Sequence, residues 1–312
     1  MERLTKWLSP DIVVLTRLPS VPVHVEYFSS PEEVTTEKLK LVEALKPTGV
    51  LVFNNDDVII QRHLGEVRNK MVGFSRYLAS DFTVSSDNIV YVDNHPVAIE
   101  FTVSNKDSHY TVRIKDVVGA QQVYACSAAM AVASVLGVAP EAAVDGLLNF
   151  NSPPGRMRLI TGLKSSVLID DTYNSSPTAA EAALETLKEI KFAKRKIAVL
   201  GDMLELGKYS SNEHEQIGAQ VATCADMLIA VGVRARKIAA GALAAGMPES
   251  NILQYDDAAR AGKELQIMLQ SGDVVLVKAS QGIRAEQIVE EVMADPESAP
   301  QLLVRQDRAW KK

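Results

Sequence analysis

The 312-residue chain has few cysteines, and neither belongs to a metal or redox motif. Cys126 and Cys224 lie far apart in the sequence and form no C-x-x-C pair. Structural zinc sites and redox-active dithiols usually need such pairs. We therefore expect two reduced thiols and no zinc site.

Long apolar runs are also missing. Residues 1–20 lack the apolar core of a signal peptide, and no segment reaches the roughly 20 apolar residues that a membrane span requires. These observations predict a cytoplasmic protein without a membrane span.

The chain carries no excess of positive charge. It has 33 Lys and Arg residues against 39 Asp and Glu residues, a formal net charge of −6, and no basic run. Broad nucleic-acid surfaces are normally basic, so we expect no nucleic-acid partner. The 47% hydrophobic and 23% charged composition is typical of a globular protein long enough for two domains.

The common glycine-rich phosphate motifs are absent as well. The sequence contains neither G-x-x-x-x-G-K-[ST] nor G-x-G-x-x-G. The segment GDMLELGKYS at 201–210 comes nearest to the first, but it has one residue too many between its glycines. Its Lys208 is also followed by Tyr rather than Ser or Thr. We therefore do not interpret this segment as a P-loop.

The second half of the chain alternates short apolar runs with helical segments, a pattern typical of a parallel sheet covered on both faces. The predicted strands are SVLIDD, KIAVLG, DMLIAVG, NILQY and DVVLVK. A Pro/Gly break at 151–155 separates this half from the first. We predict domains at 1–153 and 154–312.

Ligands of open parallel sheets bind at the carboxyl ends of the strands, and here these ends are largely polar. They read Asp170-Asp171, Gly201-Asp202, Gly232, Tyr255-Asp256 and Lys278-Ala279-Ser280. In DDTYNSSP, an Asx-type turn and a Ser-Pro helix start account for Asn174 to Pro177 but not for two consecutive acids. Asp171 is suited to a ribose or a metal. Lys278 and Ser280 precede a helix start that suits an anion.

The first half of the chain is less regular. DIVVLT and GVLVFN predict buried strands, and the second ends at Asn54-Asn55-Asp56-Asp57. NIVYVD, PVAIEFTVS and HYTVRIK predict antiparallel strands, and two helices follow. Between the first two strands, Ser30, Pro31 and Glu33 form a helix start with a capping box.

Three residues of ambiguous role stand out. Lys38 falls on the apolar stripe of that helix, either as a lysine whose amine reaches water or as a desolvated amine. A desolvated amine could act as a nucleophile, contact a phosphate or undergo carbamylation. His24, beside Glu26 in the preceding loop, is either solvated or part of a shared cation site. His214 is better interpreted as a packed or capping histidine than as a catalyst.

In their order and spacing, several segments together resemble the Mur ligases of peptidoglycan synthesis, and most closely the members that add D-alanyl-D-alanine. They span about residues 8 to 290 and are PVHVEYF, the helix with Lys38, FNNDD, SPPGRMRLI, IDDTYNSSP, VLGDMLELG with His214 after it, and VKASQGIR. The resemblance implies an α/β fold, in which an incomplete central ATPase domain is followed by a Rossmann-like parallel-sheet C-terminal domain.

The resemblance also implies roles for individual residues. Lys38, once carbamylated, and His24 would be catalytic and would hold Mg²⁺. The implied nucleotide contacts are Asn54, Asp57, Arg156, Asp171 and Asn174. Asp202, Lys278 and Ser280 would face the substrate. The implied reaction is ATP-dependent amide formation through an acyl phosphate, which joins D-Ala-D-Ala to UDP-MurNAc-tripeptide.

The chain departs from the family pattern in two respects. It has neither the P-loop nor the UDP-sugar domain that precedes it, and Gln121 and Gln122 replace a His-Asn pair used near the adenine. We expect a piece of a longer ligase, a subunit of a split ligase whose separate partner chain carries the P-loop, or a degenerate descendant that is inactive alone. The alternatives are a non-catalytic nucleotide- or precursor-binding subunit and an amide ligase similar to folylpolyglutamate synthase.

Overall fold

The computed structural model describes residues 2–106 and 108–311, and the chain divides into two compact units. Unit 1 comprises Met1–Asn88, Ile99–Ile114 and Ala120–Asn151. Unit 2 comprises Ile89–Ala98, Lys115–Gly119 and Ser152–Lys312. Within the described ranges, no helix is both long enough and apolar enough to cross a membrane.

The first sheet has six strands in the order β1-β2-β3-β4-β5-β6. The strands are β1 Ile12–Leu15, β2 Val50–Asn54, β3 Lys70–Ser75, β4 Phe82–Val92, β5 His95–Asn105 and β6 Ser108–Lys115. The first four strands pair in parallel. A two-residue turn with positive φ at Asp93 and Asn94 joins β4 to β5, a connection suited to antiparallel strands.

The helices of unit 1 cover apolar strands. They are α1 Glu2–Thr5, α2 Pro31–Glu43, α3 Val58–His63, α4 Ala120–Val135 and α5 Pro140–Leu148. Leu51, Phe53 and Ile60 lie in one buried cluster, and Leu39 and Val42 of α2 pack against it. The predicted start of α2 is confirmed, because the Ser30 hydroxyl accepts the amide of Glu33 at 3.3 Å. The Glu33 carboxylate, however, accepts the amide of Ser29 rather than that of Ser30.

The second sheet lies in unit 2, with strand order β11-β10-β9-β12-β8-β7. Its strands are β7 Arg158–Thr161, β8 Val167–Asp171, β9 Arg195–Gly201, β10 Met227–Val231, β11 Ile252–Tyr255 and β12 Asp273–Lys278. Its helices are α6 Pro177–Glu189, α7 Ser210–Val221, α8 Arg236–Ala244, α9 Ala258–Met268, α10 Glu286–Val292 and α11 Ala299–Leu302. All strand pairs are parallel except β7 with β8. The α/β prediction is confirmed.

The register of the second sheet brings its carboxyl ends to one level. Lys278 at the end of β12 is opposite Asp171 on β8 and Leu200 on β9. Val231 on β10 is opposite Gly201 on β9. Strands β8 and β12 are buried along their whole length. The candidate functional side chains of these strands are therefore the polar residues at and just beyond their carboxyl ends.

Helices α7 and α8 approach so closely that neither tolerates a side chain at the contact. A Cβ atom added to Gly218 would lie 2.0 Å from the carbonyl oxygen of Ile238. One added to Gly241 would lie 2.1 Å from the carbonyl oxygen of Glu215. Backbone therefore packs directly on backbone between these two helices.

Candidate functional site

A buried ion pair joins the ends of β8 and β12. The amine of Lys278 donates to Oδ2 of Asp171 at 2.6 Å, and the two side chains are only 2% and 8% exposed. The same amine donates to the carbonyl oxygen of Asn174 at 2.9 Å. The other oxygen of Asp171 accepts the amide of Met157 at 3.3 Å. The structure thus brings three residues singled out in the sequence into one hydrogen-bonded group.

Ser280 and Asp202 extend this group toward β9. The amide of Ser280 donates to the carbonyl oxygen of Asp202 at 3.0 Å, and the Ser280 hydroxyl accepts the amide of Leu204 at 2.9 Å. The Asp202 carboxylate accepts the amide of Ala235 at 2.7 Å and lies 3.8 Å from the guanidinium of Arg234. The loops after β8, β9, β10 and β12 are therefore linked through side chains at the strand ends.

Asp170 is a further site residue whose individual role the sequence did not suggest. It is fully buried, and its carboxylate accepts the amide and hydroxyl of Thr172 and the amide of Gly155. The pKa of Asp170 is raised to about 6, chiefly by burial and in part by the neighbouring Asp171, against the opposing effect of its hydrogen bonds. Through these hydrogen bonds Asp170 holds the loop that follows Asp171. In the sequence, only its position at the end of a strand indicated such a role.

Arg156 and Tyr173 form an accessible surface beside the buried pair. The guanidinium carbon of Arg156 lies 4.0 Å from the centre of the Tyr173 ring, and both side chains are exposed. Asn174 follows Tyr173 and is exposed too. This region combines a cation, an aromatic face and an amide, groups that suit a phosphorylated or aromatic ligand.

His214 is a packed residue, as interpreted from the sequence. It is fully buried, and its Nε2 accepts the amide of Met203 at 2.9 Å while its Nδ1 donates to the carbonyl oxygen of Ser210 at 2.6 Å. These partners fix the neutral tautomer with the proton on Nδ1. Burial lowers the pKa of His214, which agrees with a neutral ring.

Asn54, the last residue of β2, and Asp57, in the turn that follows it, hold the surrounding backbone of unit 1. The Asn54 amide group donates to the carbonyl oxygen of Thr16 at 3.0 Å. The Asp57 carboxylate accepts the amides of Ile59 and Ile60 as the N-cap of α3, and also the amide of Leu18. Both residues are buried. The nucleotide role predicted for them stays a prediction.

The adjacent Asp56 makes contacts that the sequence did not indicate. Its carboxylate accepts the amides of Arg76, Tyr77 and Leu78 and the hydroxyl of Tyr124. Burial raises the pKa of Tyr124, and the hydrogen bond to Asp56 raises it further, so this hydroxyl stays protonated. No local pattern links residues so far apart in the sequence.

Lys38 is half-buried on α2, and burial lowers the pKa of its amine. Among residues 2–106 and 108–311, its amine has no hydrogen-bond or ion-pair partner. His24 lies in a different segment, in a left-handed conformation before the 3-10 turn Val25–Tyr27. Within the same ranges, no group of three or more His, Cys, Asp and Glu side chains could hold a metal. The metal and catalytic roles of Lys38 and His24 stay predictions.

Models of two protein domain families together match most of this chain. "Mur ligase middle domain" matches residues 1–133, and "Mur ligase, glutamate ligase domain" matches residues 155–281. The second match contains the strand ends described above.

Individual relatives match over nearly the whole chain. The UDP-N-acetylmuramoyl-tripeptide--D-alanyl-D-alanine ligase of Bacillus subtilis is 28% identical over 95% of this chain and 62% of its own length. The ligase of the same name from Mycobacterium leprae is 30% identical over 87% of this chain and 57% of its own length. The chain thus spans about 60% of the length of these relatives.

Solved structures share the fold. The MurF ligase of Thermotoga maritima, solved in complex with ADP, has a TM-score of 0.78 and 25% identity, over 92% of this chain and 62% of its own. MurF from Acinetobacter baumannii gives the same TM-score at 23% identity, which supports the fold alone. With both Mur ligase domain types present in order and the fold matched over 92% of this chain, the chain belongs to the Mur ligase family.

Proposed function

We propose that this chain forms the nucleotide- and acceptor-binding part of an ATP-dependent ligase of peptidoglycan precursors, which joins D-Ala-D-Ala to UDP-MurNAc-tripeptide in the cytoplasm. The names of the similar curated ligases support the substrates. The observation that carries the proposal is the Lys278–Asp171 pair at the aligned strand ends, because this edge of a parallel sheet is where ligands bind.

The reaction has two steps. In the first, a terminal carboxylate oxygen of the tripeptide attacks the γ-phosphorus of ATP, the bond from that phosphorus to the bridging oxygen breaks, and ADP leaves. In the second, the amine of D-Ala-D-Ala attacks the acyl carbon, phosphate leaves with the electron pair of the broken C–O bond, and the nitrogen loses a proton. Cationic side chains lower the barrier of such steps by neutralising developing charge.

The residues of unit 2 divide these tasks. Asp171 and Asn174 would contact the nucleotide, with Asp171 at the ribose and Arg156 at the phosphates. Asp202, Lys278 and Ser280 would orient the incoming dipeptide. Lys278 and Asp171 also compensate each other's charge and so hold their loops at fixed positions, and the Arg156 side chain is exposed beside them.

Magnesium would be held by His24 and by Lys38 after carbamylation, with Asn54 and Asp57 near the nucleotide. A lysine whose amine is desolvated and lacks a described partner fits that modification, because carbon dioxide reacts with the neutral amine. The carbamate supplies oxygen ligands, which Mg²⁺ prefers. The bound ion would stabilise charge on the phosphates.

Phosphate binding in this proposal also needs a P-loop, which the 312 residues lack. We propose that it comes from outside this sequence, either in the same polypeptide or in a separate chain. A second candidate function, which the exposed Arg156–Tyr173 pair also fits, is the binding of nucleotide or precursor without turnover.

The first experiment measures binding of Mg·ATP by calorimetry. We expect Arg156→Ala to weaken binding by about 10- to 100-fold, the loss of one charge-assisted interaction. Arg260→Ala is the matched control, because Arg260 is also exposed and lies 5.9 Å from the ring centre of Tyr255 in the same unit. Equal affinity of Arg156→Ala and the unmutated chain would refute the nucleotide role.

The second experiment separates the two candidate functions. ADP release is measured once a P-loop-bearing segment is supplied. Release that depends on both UDP-MurNAc-tripeptide and D-Ala-D-Ala supports the ligase function. Binding of Mg·ATP without release under those conditions supports the binding subunit. Activity on a folate with glutamate instead would favour the folylpolyglutamate-type alternative.

A third experiment tests Lys38 itself. With ¹³C-labelled bicarbonate, a carbamate carbon signal should appear in the NMR spectrum and vanish in Lys38→Arg. Lys40→Arg, a change on the same helix, should retain it. A signal that survives Lys38→Arg would place the modification elsewhere.

A further inference from the structure

Near the end of the chain, Arg305 connects two loops of the candidate site. Its side chain is only 6% exposed. One guanidinium nitrogen donates to the carbonyl oxygen of Thr172, and the other donates to that of Tyr173 at 3.2 Å. Its Nε donates to the carboxylate of Glu286 at 3.1 Å. One planar group thus holds two consecutive carbonyls and a carboxylate.

Glu286 is the second part of this arrangement. It is 1% exposed, begins α10, and also accepts Nε of Arg284 at 2.6 Å. The Trp310 ring lies 5.1 Å from the guanidinium carbon of Arg284 and 5.9 Å from that of Arg305. The buried carboxylate therefore has two cationic partners, and an aromatic ring packs beside both cations.

The two segments joined here are those that carry the candidate ligand residues. Thr172 and Tyr173 lie between Asp171 and Asn174, and Arg284 and Glu286 follow the segment from Lys278 to Ser280. The Lys278–Asp171 pair already links these segments. Arg305 adds a second link through the backbone of one loop and the first helical residue after the other.

The loop has little freedom to adopt another position. A Cβ atom on Gly155 would lie 2.8 Å from the amide of Tyr173 and 3.0 Å from the side chain of Val304, next to Arg305. The amide of Tyr173 donates to the carbonyl oxygen of Gly155 at 3.1 Å. The Tyr173 backbone is therefore bound by its amide to Gly155 and by its carbonyl to Arg305.

We propose that Arg305 is a positioning residue of this site, which fixes the Asp171–Asn174 loop and presents the Tyr173 ring to Arg156. Its relevance to nucleotide binding rests on the proposed function. Arg284, Glu286, Arg305 and Trp310 all lie beyond residue 281, where the match to the family description ends. The geometry uses the planar fork of arginine, whose three nitrogens point at separate acceptors in fixed directions, whereas the three N–H groups of a lysine radiate from one nitrogen.

The test uses three variants of the full chain. Arg305→Ala removes the guanidinium, and Arg305→Lys keeps the charge without the fork. Arg308→Ala is the matched control, because Arg308 is exposed in the same segment and has no ion pair or hydrogen bond within residues 2–106 and 108–311. Amide hydrogen exchange of residues 171–176 is compared with that of the β10 core, and Mg·ATP affinity is measured alongside.

We expect Arg305→Lys and Arg305→Ala to speed exchange of the Tyr173 amide by about tenfold or more, with unchanged exchange in β10. Arg308→Ala should change neither. Unchanged loop exchange in Arg305→Lys, or exchange that rises equally in β10, would overturn the positioning role and leave only a contribution to overall stability.

The affinity measurement separates this inference from the proposed function. If the unmutated chain binds Mg·ATP, both Arg305 variants should weaken binding by about tenfold while Arg308→Ala does not. If the unmutated chain binds no nucleotide, the proposed function fails, and the exchange data still decide whether Arg305 orders the loop.

Discussion

The Lys278–Asp171 ion pair and the Lys237–Glu215 ion pair have similar lengths, 2.6 and 2.8 Å, in very different surroundings. The first is almost fully buried, whereas the side chains of the second are 51% and 46% exposed. Removing one partner of a buried pair leaves a charge without compensation, whereas water compensates an exposed charge. Similar contact distances therefore imply different energies.

We predict that Lys278→Met lowers the free energy of unfolding of unit 2 by about 3–5 kcal/mol. Lys237→Met should cost less than about 1 kcal/mol. Urea unfolding followed by Trp310 fluorescence in a Trp7→Phe background measures both. The double variant Asp171→Asn/Lys278→Met should recover part of the loss, and strictly additive losses would contradict the proposed coupling.

Asp170 gives a prediction about pH. Because burial raises its pKa from 3.8 to about 6, the folded protein binds a proton between these values that the unfolded chain does not bind. The Asp170 contribution to stability therefore improves as pH falls from about 6 to about 4 and is constant above that range. Urea unfolding at several pH values should show the unmutated chain gaining stability relative to Asp170→Asn over this interval. A pH-independent difference would contradict the raised pKa.

The candidate site was partly readable from sequence. Asp171, Asp202 and Lys278 stand at or just after the ends of apolar runs, so sheet topology alone brings them to one edge. Arg305 carries no such signal, because it lies outside any strand or long helix and meets Thr172 only through tertiary packing. Its contacts depend on how the end of the chain returns to the sheet, which local periodicity does not encode.

At the scale of elements, the close approach of α7 and α8 is the most restrictive packing described above. We predict that Gly218→Ala lowers stability by about 1–3 kcal/mol or more, because the added methyl must displace backbone. Gly146→Ala in α5 is the control, since a Cβ there meets nothing within 4 Å. Alanine should stabilise that helix by about 0.5–1 kcal/mol. Thermal unfolding measures both, and equal signs would refute the packing argument.

Helices and strands were predicted correctly where a single hydrophobic pattern dominates the sequence. Strands β8 to β12 were recognised because apolar runs alternate with amphipathic helices. Strand β3 was missed because it begins with the exposed Lys70 and Met71 and contains Gly73, so no apolar run marks it. Strand β7 is four residues long and polar at both ends, so no long apolar run marks it either. Its antiparallel pairing with β8 is what stabilises it as a strand.

At the scale of the whole molecule, the two units are interleaved along the sequence. Unit 2 includes Ile89–Ala98 and Lys115–Gly119, which precede the predicted boundary at 153/154. The Tyr91 hydroxyl accepts the amide of Lys191 at 2.9 Å, and its ring packs edge-on against Phe192. The carbonyl oxygen of Asp116 accepts the amide of Leu159 at 2.8 Å.

We therefore predict that a fragment of residues 152–312 unfolds at a lower urea concentration than unit 2 in the full chain, because it lacks both segments. Trp310 is its only tryptophan and reports unfolding directly; the full chain is compared as Trp7→Phe. Tyr91→Phe in that full chain should cause a smaller shift, since it removes one hydrogen bond alone. A fragment as stable as the full chain would support the boundary at 153/154 instead.

The glycines at the contact of α7 with α8 also limit which mutations of their codons the protein tolerates. Every missense change of a glycine codon adds at least one carbon atom at the α-carbon, and at Gly218 and Gly241 that atom would meet a carbonyl of the facing helix. In a saturation library of this chain, amino-acid substitutions at these two codons should be strongly depleted relative to synonymous ones, whereas the codon of Gly146 should accept alanine freely.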